Sequence, residues 1–331
     1  MAIERMVVRV PNWLGDAVLS LAALRDVRAS FPAARLGVLA RPAVAGLYGA
    51  VAGVDEVLES RGVRADAALL RGRFDAAVLL TNSFGSALAP WLASVPERWG
   101  WATDARGSLL TRAAASPGRL RGQNQLYYYR AMLRAVGLTV SDPPQTALAC
   151  PPAWSERAGA LLSGEGPWIG LTPGAQFGAA KRWLPERFAA AAQRLAGESG
   201  ASVAVLGGAA EKPLAARIAA LLDVPSADLS GRTTLPELVG VLSRLRLLLS
   251  NDSGPMHVAA ALGTPVVAVF GPTDGRETAP VGTAHRLVRE PVHCAPCLLR
   301  ECPIDHRCMT RVSAARVVDE ARGLLAGSAA S

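Results

Sequence analysis

The sequence lacks the features of membrane-spanning and exported chains. No stretch approaches the roughly 20 consecutive apolar residues of a membrane helix, because the longest candidate, 258–270, is interrupted by Gly263, Thr264 and Pro265. The apolar run Met6 to Val10 is shorter than the core of a signal peptide, and no small-residue cleavage site follows it. These absences predict a cytoplasmic protein.

The pattern of a dinucleotide-binding enzyme is also missing. No G-x-G-x-x-G segment follows the first apolar run, which removes the main support for a dinucleotide-dependent oxidoreductase. The chain has five cysteines, four of them crowded between Cys294 and Cys308, unlike the spread framework of a disulfide-bonded secreted domain. We see no short tandem repeat and no long low-complexity segment.

The charge balance is strongly basic. Lysine and arginine number 35 against 27 acidic residues, for a formal net charge of +8. Such a balance favours an anionic partner, such as a nucleotide, a phosphorylated glycan, an anionic membrane surface or nucleic acid. The alternative is an arginine-rich surface without a particular partner.

The arrangement of apolar segments predicts an α/β protein with two domains. With 331 residues, half of them hydrophobic, the chain is long enough for two packed cores. Short β-branched runs alternate with longer alanine- and leucine-rich segments, a pattern that favours parallel sheets with helices on both faces. A proline-rich junction near residue 150 separates an N-terminal Rossmann-like domain, 1–150, from a C-terminal one, 151–331, with a closing helix over 313–325. Ligands are expected in a cleft at the carboxyl ends of the strands.

The periodicity of the apolar residues predicts individual strands and helices. Strands are expected over 6–10, 35–40, 76–80, 168–172, 202–206, 247–250 and 265–270. Helices are expected over 13–29, 43–49, 185–198, 214–222, 236–243 and 255–262.

The first candidate site follows the first predicted strand. Asn12 is a candidate helix cap, and Gly15 allows a close approach to the backbone. Asp16 then falls in the first helical turn. There it either complements the helix dipole, worth about 0.3–1 kcal/mol, or acts as a general base toward a substrate hydroxyl.

Two further segments have the composition of a nucleotide site. Thr172, Pro173 and Gly174 follow a strand, and Lys181 precedes the next helix, which is typical of a phosphate cradle or of an ordinary loop with a solvated lysine. Glu211 follows a later strand, where its carboxylate could accept hydrogen bonds from ribose hydroxyls or stabilise a first helical turn.

The segment 250–257, which is the most specific candidate for a ligand site, connects an apolar strand to a helix. Asp252 or Ser253 can cap this helix, and Pro255 suits its first position. The backbone N–H groups near Gly254 form a candidate anion site for a pyrophosphate. His257 lies in the first turn and faces the same place.

Together these segments resemble glycosyltransferase family 9 and, within it, the branch of ADP-heptose:lipopolysaccharide heptosyltransferases II. The resemblance implies a GT-B fold with two Rossmann-like domains facing across a cleft, inversion at the anomeric carbon and no required metal or cofactor. It places the catalytic aspartate on Asp16. It places donor contacts on Lys181, Glu211, Asp252, Ser253, Gly254 and His257, with Thr172 and Thr233 as weaker matches.

The resemblance also implies the reaction and its partners. The enzyme would move L-glycero-D-manno-heptose from ADP-heptose to the first heptose of the lipopolysaccharide inner core, with the donor on the C-terminal domain and the lipid-linked acceptor on the N-terminal domain. Peripheral contact with the inner membrane is expected, and nucleic acid is not. The alternatives are another GT-B enzyme, such as a nucleotide-sugar epimerase, or a zinc-dependent nucleic-acid-binding protein.

A cysteine cluster and an aromatic, basic stretch remain outside these motifs. Cys294, Cys297, Cys302 and Cys308 are expected to be structural thiols or a labile pair, with a structural zinc site as an alternative and no regular zinc-ribbon spacing. The tryptophans and tyrosines of 91–129 are expected mainly in the core. Nearby arginines, Arg106, Arg112, Arg119 and Arg121, are candidates for contact with acceptor phosphates.

Overall fold

The computed structural model of the chain describes residues 3–163, 166–282 and 285–328. It divides into two compact units, Met1–Ala149 and Cys150–Ser331. None of the helices in the described ranges is long and apolar enough to cross a membrane.

The N-terminal unit alternates strands with helices. Its strands are β1 Arg5–Arg9, β2 Arg35–Ala40, β3 Glu56–Glu59, β4 Ala76–Leu79, β5 Glu97–Trp101 and β6 Arg112–Ala114. Its helices are α1 Leu14–Leu19, α2 Leu21–Ser30, α3 Pro42–Ala45, α4 Val63–Leu70, α5 Phe84–Leu92 and α6 Gln125–Ala135. Within the described residues the strands form one parallel sheet in the order β3-β2-β1-β4-β5-β6.

The C-terminal unit repeats this plan. Its strands are β7 Trp168–Thr172, β8 Ser202–Val205, β9 Ser226–Asp228, β10 Leu245–Asn251, β11 Val266–Phe270 and β12 His285–Arg289. Its helices are α7 Pro152–Leu162, α8 Pro185–Ser199, α9 Lys212–Ala219, α10 Leu235–Arg244, α11 Gly254–Ala261, α12 Gly275–Thr278, α13 Arg307–Thr310 and α14 Ala314–Ser328. Among the residues described, the strands again form a parallel sheet, in the order β12-β11-β10-β7-β8-β9.

Both sheets have the doubly wound strand order, which reverses direction beside the first strand of each unit. The reversal lies between β1 and β4 in one sheet and between β7 and β10 in the other. The chain leaves neighbouring strands to opposite sides at such a point, so a crevice opens at their carboxyl ends where ligands bind. The predicted α/β class with two parallel sheets is confirmed.

The central strands explain why this class could be recognised. Every residue of β4, β7 and β11 is buried, because helices cover both faces of a parallel sheet and leave no solvent-facing row. In the C-terminal unit, α8 packs its apolar face on the sheet, and Trp183 and Phe188 meet edge to face with their ring centroids 5.0 Å apart.

The helix predicted over 13–29 is wrong in one respect, because it is divided into α1 and α2 at Ser20. The buried Ser20 hydroxyl donates a hydrogen bond to the Ala17 carbonyl oxygen at 2.8 Å. A serine that bonds to the preceding turn competes with the regular helical hydrogen bonds, which accounts for the break.

Candidate active site

Asp16 lies where the sequence places it, in the first turn of α1 after the carboxyl end of β1. This position borders the reversal point of the N-terminal sheet. The side chain is partly buried, and its Oδ1 accepts a hydrogen bond of 3.2 Å from the Tyr129 hydroxyl. The carboxylate is therefore held at the carboxyl ends of the strands, where a crevice opens in this fold.

Tyr129 is suited to remain a hydrogen-bond donor. It lies on α6 and is buried. Burial, and then the negative charge of Asp16, raise the pKa of the Tyr129 phenol well above its ordinary value. The phenol thus stays protonated at neutral pH and points its proton at the carboxylate.

The expectation that Asn12 caps α1 is wrong. The cap position is Trp13, whose side chain makes no capping bond and is 54% exposed. Asn12 instead accepts a hydrogen bond of 2.9 Å from the buried Arg9, which also donates to the Leu39 carbonyl oxygen. Asn12 therefore ties the turn before α1 to the end of β2.

The basic stretch of the N-terminal unit is partly structural. Arg106 is fully buried and donates from Nε to the Trp101 carbonyl oxygen at 2.8 Å. Burial lowers the pKa of Arg106 to about 10. Arg112 stacks on the ring of Trp99 at 4.3 Å and donates to a backbone carbonyl. The expectation of phosphate contact is wrong for Arg106, which is inaccessible. Trp99 and Trp101 pack in the core as expected.

In the C-terminal unit, Lys181 and Asp252 form a buried ion pair. The two atoms Lys181 Nζ and Asp252 Oδ2 are 2.6 Å apart, and their side chains are 11% and 4% exposed. Thr273 Oγ1 donates to the same carboxylate oxygen at 2.6 Å. Lys181 also lies over the ring of Phe177, 4.9 Å from its centroid. The lysine predicted to bind phosphate is thus fixed by the aspartate of the second donor segment.

Polar side chains at the ends of β7 and β10 connect the donor segments. Thr172 Oγ1 donates to Ser250 Oγ at 2.7 Å, and both residues are buried. Asn251 accepts from the Trp183 backbone N–H at 2.9 Å and donates to the Pro173 carbonyl oxygen at 2.7 Å. These bonds therefore connect the ends of the two strands that flank the reversal point.

Glu211 meets the Thr172-Pro173-Gly174 segment in space. A Cβ atom built on Gly174 would lie 1.5 Å from Glu211 Oε1, so glycine is required there for the carboxylate to occupy its place. The other oxygen, Oε2, accepts from the Gly208 N–H at 2.7 Å. Glu211 therefore supports its own helical turn while its carboxylate borders the predicted nucleotide site. Thr233 is partly buried in the turn between β9 and α10.

The start of α11 carries the remaining predicted residues. Ser253 is its cap residue, Gly254 begins the helix, and Pro255 is second rather than first. The Ser253 side chain makes no capping bond, so a ligand can take the place that a capping oxygen has in other helices. His257 is buried, and burial lowers its pKa to about 4, which keeps the imidazole neutral. No described residue hydrogen-bonds to its Nδ1.

The cysteines form a loose cluster outside the sheet. Cys308 is buried, and burial followed by the neighbouring thiols of Cys294, Cys297 and Cys302 raises its pKa to about 11. Within residues 3–163, 166–282 and 285–328, no three His, Cys, Asp or Glu side chains are placed to hold a metal. The alternative of a zinc site thus finds no ligand set in the described part of the chain.

Sequence reasoning missed two residues of the site. The sequence predicts Tyr129 in the core, and no local pattern links it to Asp16, which lies 113 positions away. Thr273 could have been found, because it follows the end of β11 and side chains at the carboxyl ends of parallel strands converge.

The chain is similar to known proteins over most of its length. The model of the family described as glycosyltransferase family 9 (heptosyltransferase) matches residues 63–307. The chain is 33% identical to lipopolysaccharide heptosyltransferase 2 of Salmonella typhimurium over 86% of its own length and 88% of that protein. Identity to lipopolysaccharide heptosyltransferase 2 of Escherichia coli is 32%, with the same coverage.

A solved structure, that of the E. coli ADP-heptose lps heptosyltransferase II, matches the whole architecture. Its TM-score is 0.85 at 29% sequence identity, covering 98% of this chain and 99% of the other. The resemblance inferred from the motifs, to family 9 and within it to heptosyltransferase II, is confirmed. The chain belongs to glycosyltransferase family 9 and is a glycosyltransferase with the GT-B fold.

Proposed function

We propose that the protein transfers L-glycero-D-manno-heptose from ADP-heptose to the first heptose of a lipopolysaccharide inner core, with inversion at the anomeric carbon. The names of its relatives support the sugar and the glycan class. The observation that carries the proposal is the position of Asp16 and of the Lys181–Asp252 pair, each beside the reversal point of its own sheet.

In this mechanism the C-terminal unit holds the donor. The uncapped start of α11 offers backbone N–H groups and the positive end of its dipole to the diphosphate. Lys181 adds a cation, and Glu211 accepts hydrogen bonds from the ribose. Thr172 and Thr233 supply further polar contacts. As ADP leaves, negative charge grows on the diphosphate, and these fixed groups stabilise it.

The N-terminal unit supplies the base. Asp16 takes the proton of the acceptor hydroxyl as that oxygen attacks the anomeric carbon from the face opposite the leaving ADP. Positioned base catalysis of this kind contributes about 10²–10⁴-fold. The Tyr129 bond orients the carboxylate and stabilises its ionised form. No step in this scheme uses a metal or a cofactor, and the lipid-linked acceptor would bring the protein to a membrane surface.

A transfer assay tests the proposal. ADP-heptose is incubated with two lipid-linked acceptors that differ only in whether the first core heptose is present. We expect transfer to the acceptor that carries it and an inverted linkage in the product. Transfer only to the acceptor without heptose would contradict the acceptor assignment, and no transfer to either would contradict the activity.

A further inference from the structure

The cysteine-rich segment 294–308 lies against the segment that carries Lys181. The Arg300 carbonyl oxygen accepts a hydrogen bond of 2.9 Å from the Ala180 N–H, and His306 Nε2 lies 2.7 Å from the Ala180 carbonyl oxygen. Because a carbonyl oxygen only accepts, Nε2 carries the proton and donates it. Both backbone groups of Ala180, the residue before Lys181, are therefore bonded to the cysteine-rich segment.

The two segments also approach closely around Phe177 and Gly178. A Cβ atom built on Gly178 would lie 2.3 Å from the Arg300 carbonyl oxygen, so glycine is required for this approach of the two backbones. The Arg300 guanidinium lies 5.5 Å from the centroid of the Phe177 ring, and Lys181 Nζ lies 4.9 Å from the same centroid. The side chain of Lys181 thus packs on a ring that also contacts the cysteine-rich segment.

Two thiols anchor the cysteine-rich segment around His306. The backbone of His306 has a positive φ of 56°, which is uncommon for a residue other than glycine. Its N–H donates a hydrogen bond to Cys302 Sγ at 3.3 Å. Cys308 follows on α13 and is buried beside Gly271, where a Cβ atom would lie 3.0 Å from its Sγ. The segment is therefore held both before and after the His306 side chain.

The same segment reaches the other close partner of Asp252. The Leu298 N–H donates to the Pro272 carbonyl oxygen at 2.8 Å, and Pro272 precedes Thr273 in the chain. Lys181 and Thr273 both bond to Asp252 Oδ2 at 2.6 Å. Each of them thus follows a residue whose backbone is bonded to the cysteine-rich segment.

We infer that His306 is a positioning residue for Lys181, an inference that rests on the proposed function. The imidazole fixes the Ala180 carbonyl group, and this bond sets the direction in which the next residue, Lys181, leaves the turn toward Asp252. A cation that is already held in place loses less conformational freedom when the diphosphate binds. His306 acts in this way through Lys181 and needs no contact with the ligand.

Calorimetry with ADP on His306 variants tests this role. His306→Gln keeps an N–H at about the distance of imidazole Nε2, whereas the side chains of His306→Asn and His306→Ala are too short to reach the Ala180 carbonyl oxygen. For the two short variants we expect the Kd of ADP to rise about three- to ten-fold, the range for loss of one hydrogen bond. His306→Gln should stay within about two-fold of the wild type. Ile304→Ala, at an exposed position of the same segment, is the matched control and should bind ADP as the wild type does.

A double-mutant cycle separates positioning of Lys181 from a general loss of structure. Lys181→Met removes the cation but keeps an unbranched side chain. In this background His306→Asn should change the Kd of ADP by less than about two-fold, because no cation is left to position. Thermal melting shows whether each variant is folded.

Four results would overturn the inference. They are an unchanged Kd of ADP in both short variants, equal weakening in His306→Gln, an equally large effect in the Lys181→Met background, and failure of both short variants to fold, which would show that His306 supports the fold itself. Wild-type protein that does not bind ADP, or Lys181→Met protein that binds it as tightly as the wild type, would instead contradict the proposed function. The two failures can therefore be told apart.

Discussion

The hydroxyl group of Tyr129, on α6, donates a hydrogen bond to the carboxylate of Asp16, on α1, at 3.2 Å. The Tyr129 phenol is buried and its pKa is raised by that burial, so it remains protonated at neutral pH and below. A hydrogen bond to the ionised form of a carboxylate stabilises that form. Tyr129 is therefore a positioning residue for the proposed base.

Tyr129→Phe should shift the acid limb of the pH dependence of kcat to higher pH. Without the phenol the carboxylate binds its proton more tightly, so a larger fraction is protonated at a given pH below neutral. At pH 7 we expect kcat to fall several-fold, because the Asp16 carboxylate loses the hydrogen bond that orients it. The measurement is a pH–rate profile with saturating donor and acceptor.

Tyr128→Phe is the matched control for that variant. Tyr128 neighbours Tyr129 on the same helix, and its hydroxyl accepts from Asn82 at 2.8 Å. This variant should keep the wild-type acid limb. If both variants shift it equally, or neither does, the assignment of Tyr129 to Asp16 is wrong.

The sequence predicted the central strands of both sheets and missed the edge strands and β5, which lies next to an edge. Strands β7 and β11 are buried throughout and appear as continuous apolar runs. By contrast, β3 has glutamate at both ends, and β6 and β9 have only three residues each. Short strands toward the edge of a sheet carry polar residues that face solvent, so their composition does not differ from that of loops.

Individual site residues could be predicted where local chain geometry places them. Asp16, Asp252 and Ser253 follow directly from a strand, a turn and a helix start. Their partners could not be predicted in the same way. The 2.6 Å contact between Lys181 and Asp252 joins residues 71 positions apart, and its existence depends on two neighbouring strands that are not consecutive in sequence.

Lys181→Ala should affect stability and ADP binding together. The Asp252 carboxylate would remain buried without its cation, and breaking such a pair lowers the free energy of unfolding by about 3–5 kcal/mol. Because Thr273 still donates a hydrogen bond to this carboxylate, we expect a loss near the lower value. ADP should bind more weakly because a cation is removed from the diphosphate site. Thermal melting and calorimetry measure the two effects.

The double variant Lys181→Ala with Asp252→Asn separates the two effects. It removes the unpaired charge, so stability should recover in part while ADP affinity does not. Arg182→Ala, at the exposed neighbour of Lys181, controls for loss of nearby positive charge. Unchanged affinity for ADP in Lys181→Ala would refute the role of Lys181 in donor binding.

His257 should make the folded protein less stable in mild acid. Burial lowers its pKa to about 4 from the model-peptide value of 6.5, so between these values the unfolded chain binds a proton that the folded chain does not. This contribution to stability is constant above pH 6.5 and decreases as pH falls to about 4, by roughly 3 kcal/mol. The measurement is the free energy of unfolding of the wild type and of His257→Gln, each at pH 7 and at pH 5. The loss on acidification should be smaller in the variant, and an equal loss would contradict the account.

Transfer should survive chelation. The helix start of α11 and Lys181 carry the electrostatic role that a divalent cation has in metal-dependent glycosyl transfer. Activity in EDTA should equal activity in buffer. Loss of activity that Mg²⁺ or Zn²⁺ restores would show that the diphosphate contacts are incomplete without metal. Elemental analysis of the purified protein reports separately on the four cysteines between Cys294 and Cys308.

The kinetics of Asp16→Asn test the central claim most directly. Asparagine keeps the size and polarity of the side chain, but it does not accept a proton at neutral pH. If Asp16 is the base, kcat should fall about 10²–10⁴-fold while the Kd of ADP-heptose and the melting temperature stay near wild type. If Asp16 only complements the dipole of α1, the substitution would cost less than about 1 kcal/mol of stability and leave kcat unchanged, and that result would contradict the mechanism.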